Sequence, residues 1–179
     1  MGTRLLLIFC LCVLTGSLRV MAQSQVAGDK EVEKLGVFAG QWVAGGEMKD
    51  TPYSKAKIKS HDEMNCGWTP NRGFMICDQL IHTASGTKNE LSIYTYNPDE
   101  HAFAFFGVSR GDKEARTTKL IIEGNLWTYW DEEEDGRKYV RFRTTNQFTS
   151  ETKVIWRSEY SEDGSKWVLM GEGTDTRVR

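Results

Sequence analysis

The 179-residue chain contains no apolar run long enough to cross a bilayer. Its longest, Leu5 to Leu14, holds about ten residues against the ~20 that a membrane-spanning helix needs. Basic excess is missing too: 23 Lys and Arg stand against 25 Asp and Glu, a formal charge of −2. So mild and evenly mixed a charge excludes a nucleic-acid partner. No basic amphipathic helix supports membrane-surface binding. The chain has no P-loop, no dinucleotide fingerprint, no Gly-x-Ser-x-Gly and no His-Glu-x-x-His, so no catalytic residue is assigned. Neither an internal repeat nor a low-complexity linker divides it, and one domain is expected.

The N-terminus reads as a targeting segment. Arg4 supplies a positive start, the Leu5–Leu14 run follows, and Val20-Met21-Ala22 offers a cleavage site, so residues 1–22 are assigned to a signal peptide. Residues 23–28 form a polar leader and 29–179 the folded domain. Cleavage removes Arg4 and Arg19, which leaves 21 basic against 25 acidic residues, a net charge of about −4. The product is expected to be secreted or periplasmic, with no membrane insertion after cleavage. Cys10 and Cys12 leave with the signal, and neither follows the approach that a lipoprotein cysteine requires.

Cys66 and Cys77 remain. They bracket the turn Pro70-Asn71-Arg72-Gly73, whose flanks fold back as a hairpin, so a structural cross-strand disulfide is expected in an oxidising compartment. Metal or redox use would call for closer Cys-x-x-Cys spacing and a nearby His.

What is present is strand after strand. After a short helix over Lys30–Phe38, N-capped by Asp29, ten β-segments run from Trp42 to Arg177. Turn signals such as Asn97-Pro98-Asp99, Glu123-Gly124-Asn125, Asp135-Gly136 and Asp163-Gly164 break them every ten or so positions. Short connections favour sequential pairing, and about 8–10 tilted strands in that order predict an all-β, up-and-down antiparallel barrel.

Period-two alternation sorts the faces. Val154, Trp156, Ser158 and Tyr160 share one; Tyr139, Arg141 and Arg143 oppose Val140, Phe142 and Thr144. In the last strand Trp167, Leu169 and Gly171 oppose Val168, Met170 and Glu172. Ala102–Val108 is apolar on both faces, which predicts cover on both sides. Six Trp, six Tyr and eight Phe serve either core packing or an aromatic-lined cavity. In the second case Trp127, Tyr129, Trp156 and Tyr160 are the walls and Ser158 a polar handle.

His61, His82 and His101 are scattered over three strands and are read as surface or rim groups, so no metal site and no cofactor are predicted. Asp131–Gly136 begins like a calcium loop, but Phe142 stands where the bidentate Glu belongs, and a solvated hairpin tip is preferred. Most carboxylates fall at turns or alternate outward. Glu172, Asp175 and Arg177 are the exceptions, in a final strand that otherwise packs.

The helix leading into Gly40-Gln41-Trp42 resembles the Gly-x-Trp opening of the calycins, the lipocalin and fatty-acid-binding-protein superfamily. The close, Gly173-Thr174-Asp175-Thr176-Arg177-Val178, resembles the Thr-Arg ending of the fatty-acid-binding group. Cys66-Gly-Trp-Thr-Pro with Gly73-Phe-Met-Ile-Cys77 is similar to uncharacterised secreted bacterial proteins assigned a lipocalin-like barrel. The resemblance implies that Trp42 and Arg177 pack together across the barrel base as framework. It also implies binding of a small hydrophobic molecule without catalysis. The alternatives are a haem-dependent or cyclase-like calycin enzyme, and a packed, ligand-free envelope interaction module.

Overall fold

The computed structural model describes residues 30–54, 58–135 and 138–179, the side chains at 135 and 138 aside. The expected signal peptide, leader, Asp29 cap and Asp135-Gly136 turn fall outside the described residues. A helical turn at 30–32 continues as a 3-10 helix, Glu33–Phe38. Ten strands follow: β1 Gly40–Met48, β2 Ile58–Trp68, β3 Met75–Thr83, β4 Gly86–Asn97, β5 Ala102–Ser109, β6 Arg116–Glu123, β7 Leu126–Asp135, β8 Lys138–Ser150, β9 Lys153–Ser161 and β10 Val168–Arg177.

Every neighbouring pair is antiparallel, and β1 closes on β10 to make one barrel. Sequential hairpins need only short connections, and closure leaves no sheet edge exposed to pairing. The up-and-down barrel expected from the turn signals is therefore the observed fold, with all ten strands in place.

The N-terminal helix plugs one end. Phe38 and Leu35 are buried, and Phe38 meets the rings of Trp42, Tyr94, Trp127 and Phe148 at centroid distances of 4.9–6.1 Å. Trp42 Nε1 donates to the Phe38 carbonyl at 2.8 Å, which ties helix to β1. Arg177 sets its guanidinium 4.8 Å from the Trp42 ring and donates to the Val37 carbonyl, so the last strand locks the same end. Gly40 has φ of +121°, and a Cβ there would collide with the Arg179 carbonyl. The glycine two residues before Trp42 is thus demanded by backbone geometry.

Cys66 and Cys77 are bonded across β2 and β3, with Cα atoms 4.0 Å apart, and both face the plug.

Three expectations change. β5 is buried on one face only: Phe103 and Phe105 point inward, while Ala102, Ala104, Phe106 and Val108 are half-exposed on the outside. A single-layer barrel has no second sheet to cover them. β7 runs on as strand through Asp135, so the acidic run is not a hairpin tip alone. In β10 a bulge between Leu169 and Gly171 breaks the alternation. Met170 and Gly171 are both buried, and the inward face then continues through Gly173 and Asp175.

Candidate functional site

Above the plug the barrel is hollow. A cavity of about 570 Å³ lies between the plug and a smaller apolar cluster at the other end, built from Val140, Tyr160, Met170, Met48, Tyr53 and Phe142. Its size falls in the range of small-molecule pockets, roughly 300–1,000 Å³.

One wall is made of small residues. On the inward face of β1 and β10 stand Ala44, Gly46, Gly171 and Gly173, paired as Ala44 with Asp175, Gly46 with Gly173 and Met48 with Gly171. Trp156 from β9 sets the edge of its ring against this shelf. A Cβ at Gly173 would sit 2.6 Å from the Trp156 ring, and one at Gly46 would overlap the ring edge. Glycine here makes room for the indole. Replacing Gly46 by Ala should therefore destabilise the fold by about 2 kcal/mol through overpacking, read as a lower urea midpoint. Adding Trp156→Phe should recover most of that loss; a double variant no better than Gly46→Ala alone would disprove the ring contact.

The opposite wall is aromatic. Tyr94, Phe105 and Tyr129 face the cavity in mutual ring contact at centroid distances of 5.1–6.4 Å. Burial pushes the Tyr94 hydroxyl up to about 12 and raises Tyr129 well above the ordinary tyrosine value, so both phenols are neutral at physiological pH. Ser92, Thr118, Thr144, Asn146 and Ser158 add polar positions, and Thr144 donates to the Ser158 hydroxyl at 3.2 Å.

Two acids stand in the middle of the shelf. Ala44 pairs with Asp62 of β2 on one side and with Asp175 of β10 on the other, so both carboxyls rise beside one methyl group. Asp175 is 8 % exposed and its Oδ1 has no hydrogen-bond partner. Asp62 accepts from Gln79 Nε2 at 3.1 Å through Oδ2, while its Oδ1 is buried and unpaired. Burial, then the charge of Asp62, pushes the Asp175 carboxyl up to about 7. Asp62 is raised as well, chiefly by burial.

Of the five residues read as pocket walls, Tyr129, Trp156 and Ser158 line the cavity. Trp127 does not: it is buried in the plug against Phe38 and Phe148. Tyr160 packs in the far cluster, 4.7 Å from the Tyr53 ring. Asp62, Glu90, Asp131 and Glu133 also line the cavity, which corrects the reading that carboxylates outside the last strand alternate outward. Asp62 was legible from its phase with Met64 and Cys66, two and four residues on.

The histidines lie elsewhere. His61 and His82 face each other across β2 and β3, on the face opposite Asp62, and His101 sits at the β4–β5 turn beside the Tyr96 hydroxyl. Among the described residues no three His, Cys, Asp or Glu side chains come close enough to share a metal ion, and no helix is long and apolar enough to cross a membrane.

The chain thus has a lipocalin-like barrel fold, closed from ten antiparallel strands around an internal cavity. Two solved structures are similar to it in fold. The crystal structure of Rv2717c from M. tuberculosis is 12 % identical, with a TM-score of 0.56 over 83 % of this chain and 97 % of that one. The S-type phycobiliprotein lyase CPES from Guillardia theta is 8 % identical, with a TM-score of 0.54 over 82 % and 92 %. At such identities the likeness is one of fold. No known family and no curated protein matches the chain by sequence.

Proposed function

We propose that this protein binds a small, mainly hydrophobic molecule inside its barrel, without altering it, outside the reducing cytoplasm. The observation that carries the reading is the cavity of about 570 Å³, closed below by the plug and walled by Tyr94, Phe105, Tyr129 and Trp156. Apolar molecules gain by leaving water for such a wall, and the gain scales with buried area. Fold likeness to a phycobiliprotein lyase is in keeping with a ligand-holding barrel. The disulfide and the signal-like N-terminus support export. Such a hollow interior speaks against the packed, ligand-free module. No histidine lines the cavity, so a haem-dependent enzyme is the weaker reading.

The test is titration with Nile red, a neutral dye that brightens in apolar surroundings. One dye should bind per chain, with micromolar affinity. Trp156→Ala should weaken it by at least fivefold, because the indole forms part of the wall. An unchanged dye spectrum at saturating protein would sink the proposal. Intact mass of the exported protein, expected to lack residues 1–22, checks the compartment.

A further inference from the structure

The cavity holds more buried negative charge than a purely apolar ligand can use. Asp175, buried, and Asp62, half-buried, both line it, one on each side of Ala44. Each keeps one buried carboxylate oxygen without a hydrogen bond. Unpaired buried carboxylates are costly, and their persistence on a shelf otherwise made of Ala and Gly calls for an incoming partner. Among the described residues no arginine or lysine supplies it. Arg116 lies over the Phe105 ring, 5.7 Å from its centroid, and Arg143 is held by Glu159 at 2.8 Å and by the Trp167 ring. The remaining acids on the lining, Glu90, Asp131 and Glu133, add to the negative field, and Tyr94 and Tyr129 are neutral.

Resting on the binding function above, we infer that the ligand is an amphipathic organic cation: an ammonium group seated between Asp62 and Asp175, with its apolar body against Trp156, Tyr129 and Phe105. An ammonium offers up to three donors, enough to serve both open carboxylate oxygens at once. Aromatic faces beside the acids also favour a cation over a neutral donor. A bare metal ion is a poorer fit, because among the described residues no third acid or histidine comes close enough to the two carboxylates to complete a coordination shell.

Proton linkage follows from the geometry. An ammonium binds the ionised pair, so below about pH 7 a proton must leave Asp175 as the ligand enters. Affinity should then rise as pH rises from 5 to 8, with the amine itself protonated throughout.

The experiment compares dansylcadaverine, which carries a primary ammonium on an aromatic body, with N-pentyl dansylamide, which lacks the ammonium. At pH 8 the amine should bind at least tenfold more tightly than the neutral probe. At pH 5 that ratio should fall several-fold. Asp175→Asn and Asp62→Asn should each bring the probes to within about threefold of one another at pH 8. Equal binding of the two probes at pH 8, or a preference that survives Asp175→Asn, overturns the cation assignment but leaves the hydrophobic-ligand reading standing. Failure of both probes and of Nile red overturns both. The amide is nearly isosteric with the acid, and circular dichroism of each variant checks that the barrel is intact.

Discussion

Replacing Asp175 by Asn should stabilise the protein at pH 8 by roughly 4 kcal/mol and leave it nearly unchanged at pH 4. The sign follows from the direction of the shift. The Asp175 carboxyl is pushed up to about 7 in the folded barrel, against an ordinary value of 3.8. Between those two values the folded state holds a proton that the unfolded chain has released. Stability therefore falls as pH rises through that window, and above pH 7 the full cost of a buried, unpaired carboxylate is present. The burial of Asp175 and its proximity to Asp62 both act in this sense. Asn has the same shape and no charge to bury, so the variant should lose the part of the fall between pH 4 and 8 that Asp175 causes, while the part due to the raised Asp62 carboxyl remains. Over a domain of this size the gain at pH 8 raises Tm by roughly 10 °C. Urea unfolding of both proteins at pH 4, 6 and 8 checks it; parallel curves for the two would show that Asp175 is not ionised at a cost. A stabilising loss of an acid is a frequent mark of a binding site, where function keeps a group that folding alone would discard.

Breaking the Cys66–Cys77 bond, by reductant or by Cys66→Ala with Cys77→Ala, should cost about 3 kcal/mol. The bond closes a short loop, with a sequence separation of 11. It limits the unfolded chain and also presses both sulfurs into the plug beside Met64 and Met75. The second contribution distinguishes the two perturbations. Reduction keeps the sulfur volume, whereas the double Ala variant also leaves a small void, so the variant should be the less stable. A loss below 1 kcal/mol in both would show that the β2–β3 hairpin is held by its ladder and core contacts alone. Dye binding should survive reduction at low temperature, because neither cysteine lines the cavity.

Much of this molecule was legible in its residues. Turn chemistry every ten or so positions fixed ten strands in sequence, since Gly, Asn and Asp at hairpin tips leave the chain little choice but to reverse. Alternation along Val154–Tyr160 sorts that strand as observed. The Pro70–Gly73 turn placed the cysteines opposite one another.

The site resisted for identifiable reasons. Alternation breaks wherever a bulge adds a residue, and the bulge at Met170 shifts the phase of β10 so that Asp175, rather than its neighbours, turns inward. Nothing in the order of residues marks that slip. Trp127 and Trp156 look alike as inward aromatics on neighbouring stretches of sequence. Only the height at which the helical plug ends decides that Trp127 is filled against while Trp156 borders empty space.

By itself, then, the sequence determined local things: strand, turn, which face of most strands is apolar, and which cysteines can meet. Those depend on interactions within a few residues or across one hairpin. The cavity, its glycine shelf and the juxtaposition of Asp62 with Asp175 were decided by closure of β1 on β10, which joins residues far apart in the chain. A closed sheet encloses volume as a whole, and no single strand carries the information of how much of that volume its neighbours leave unfilled.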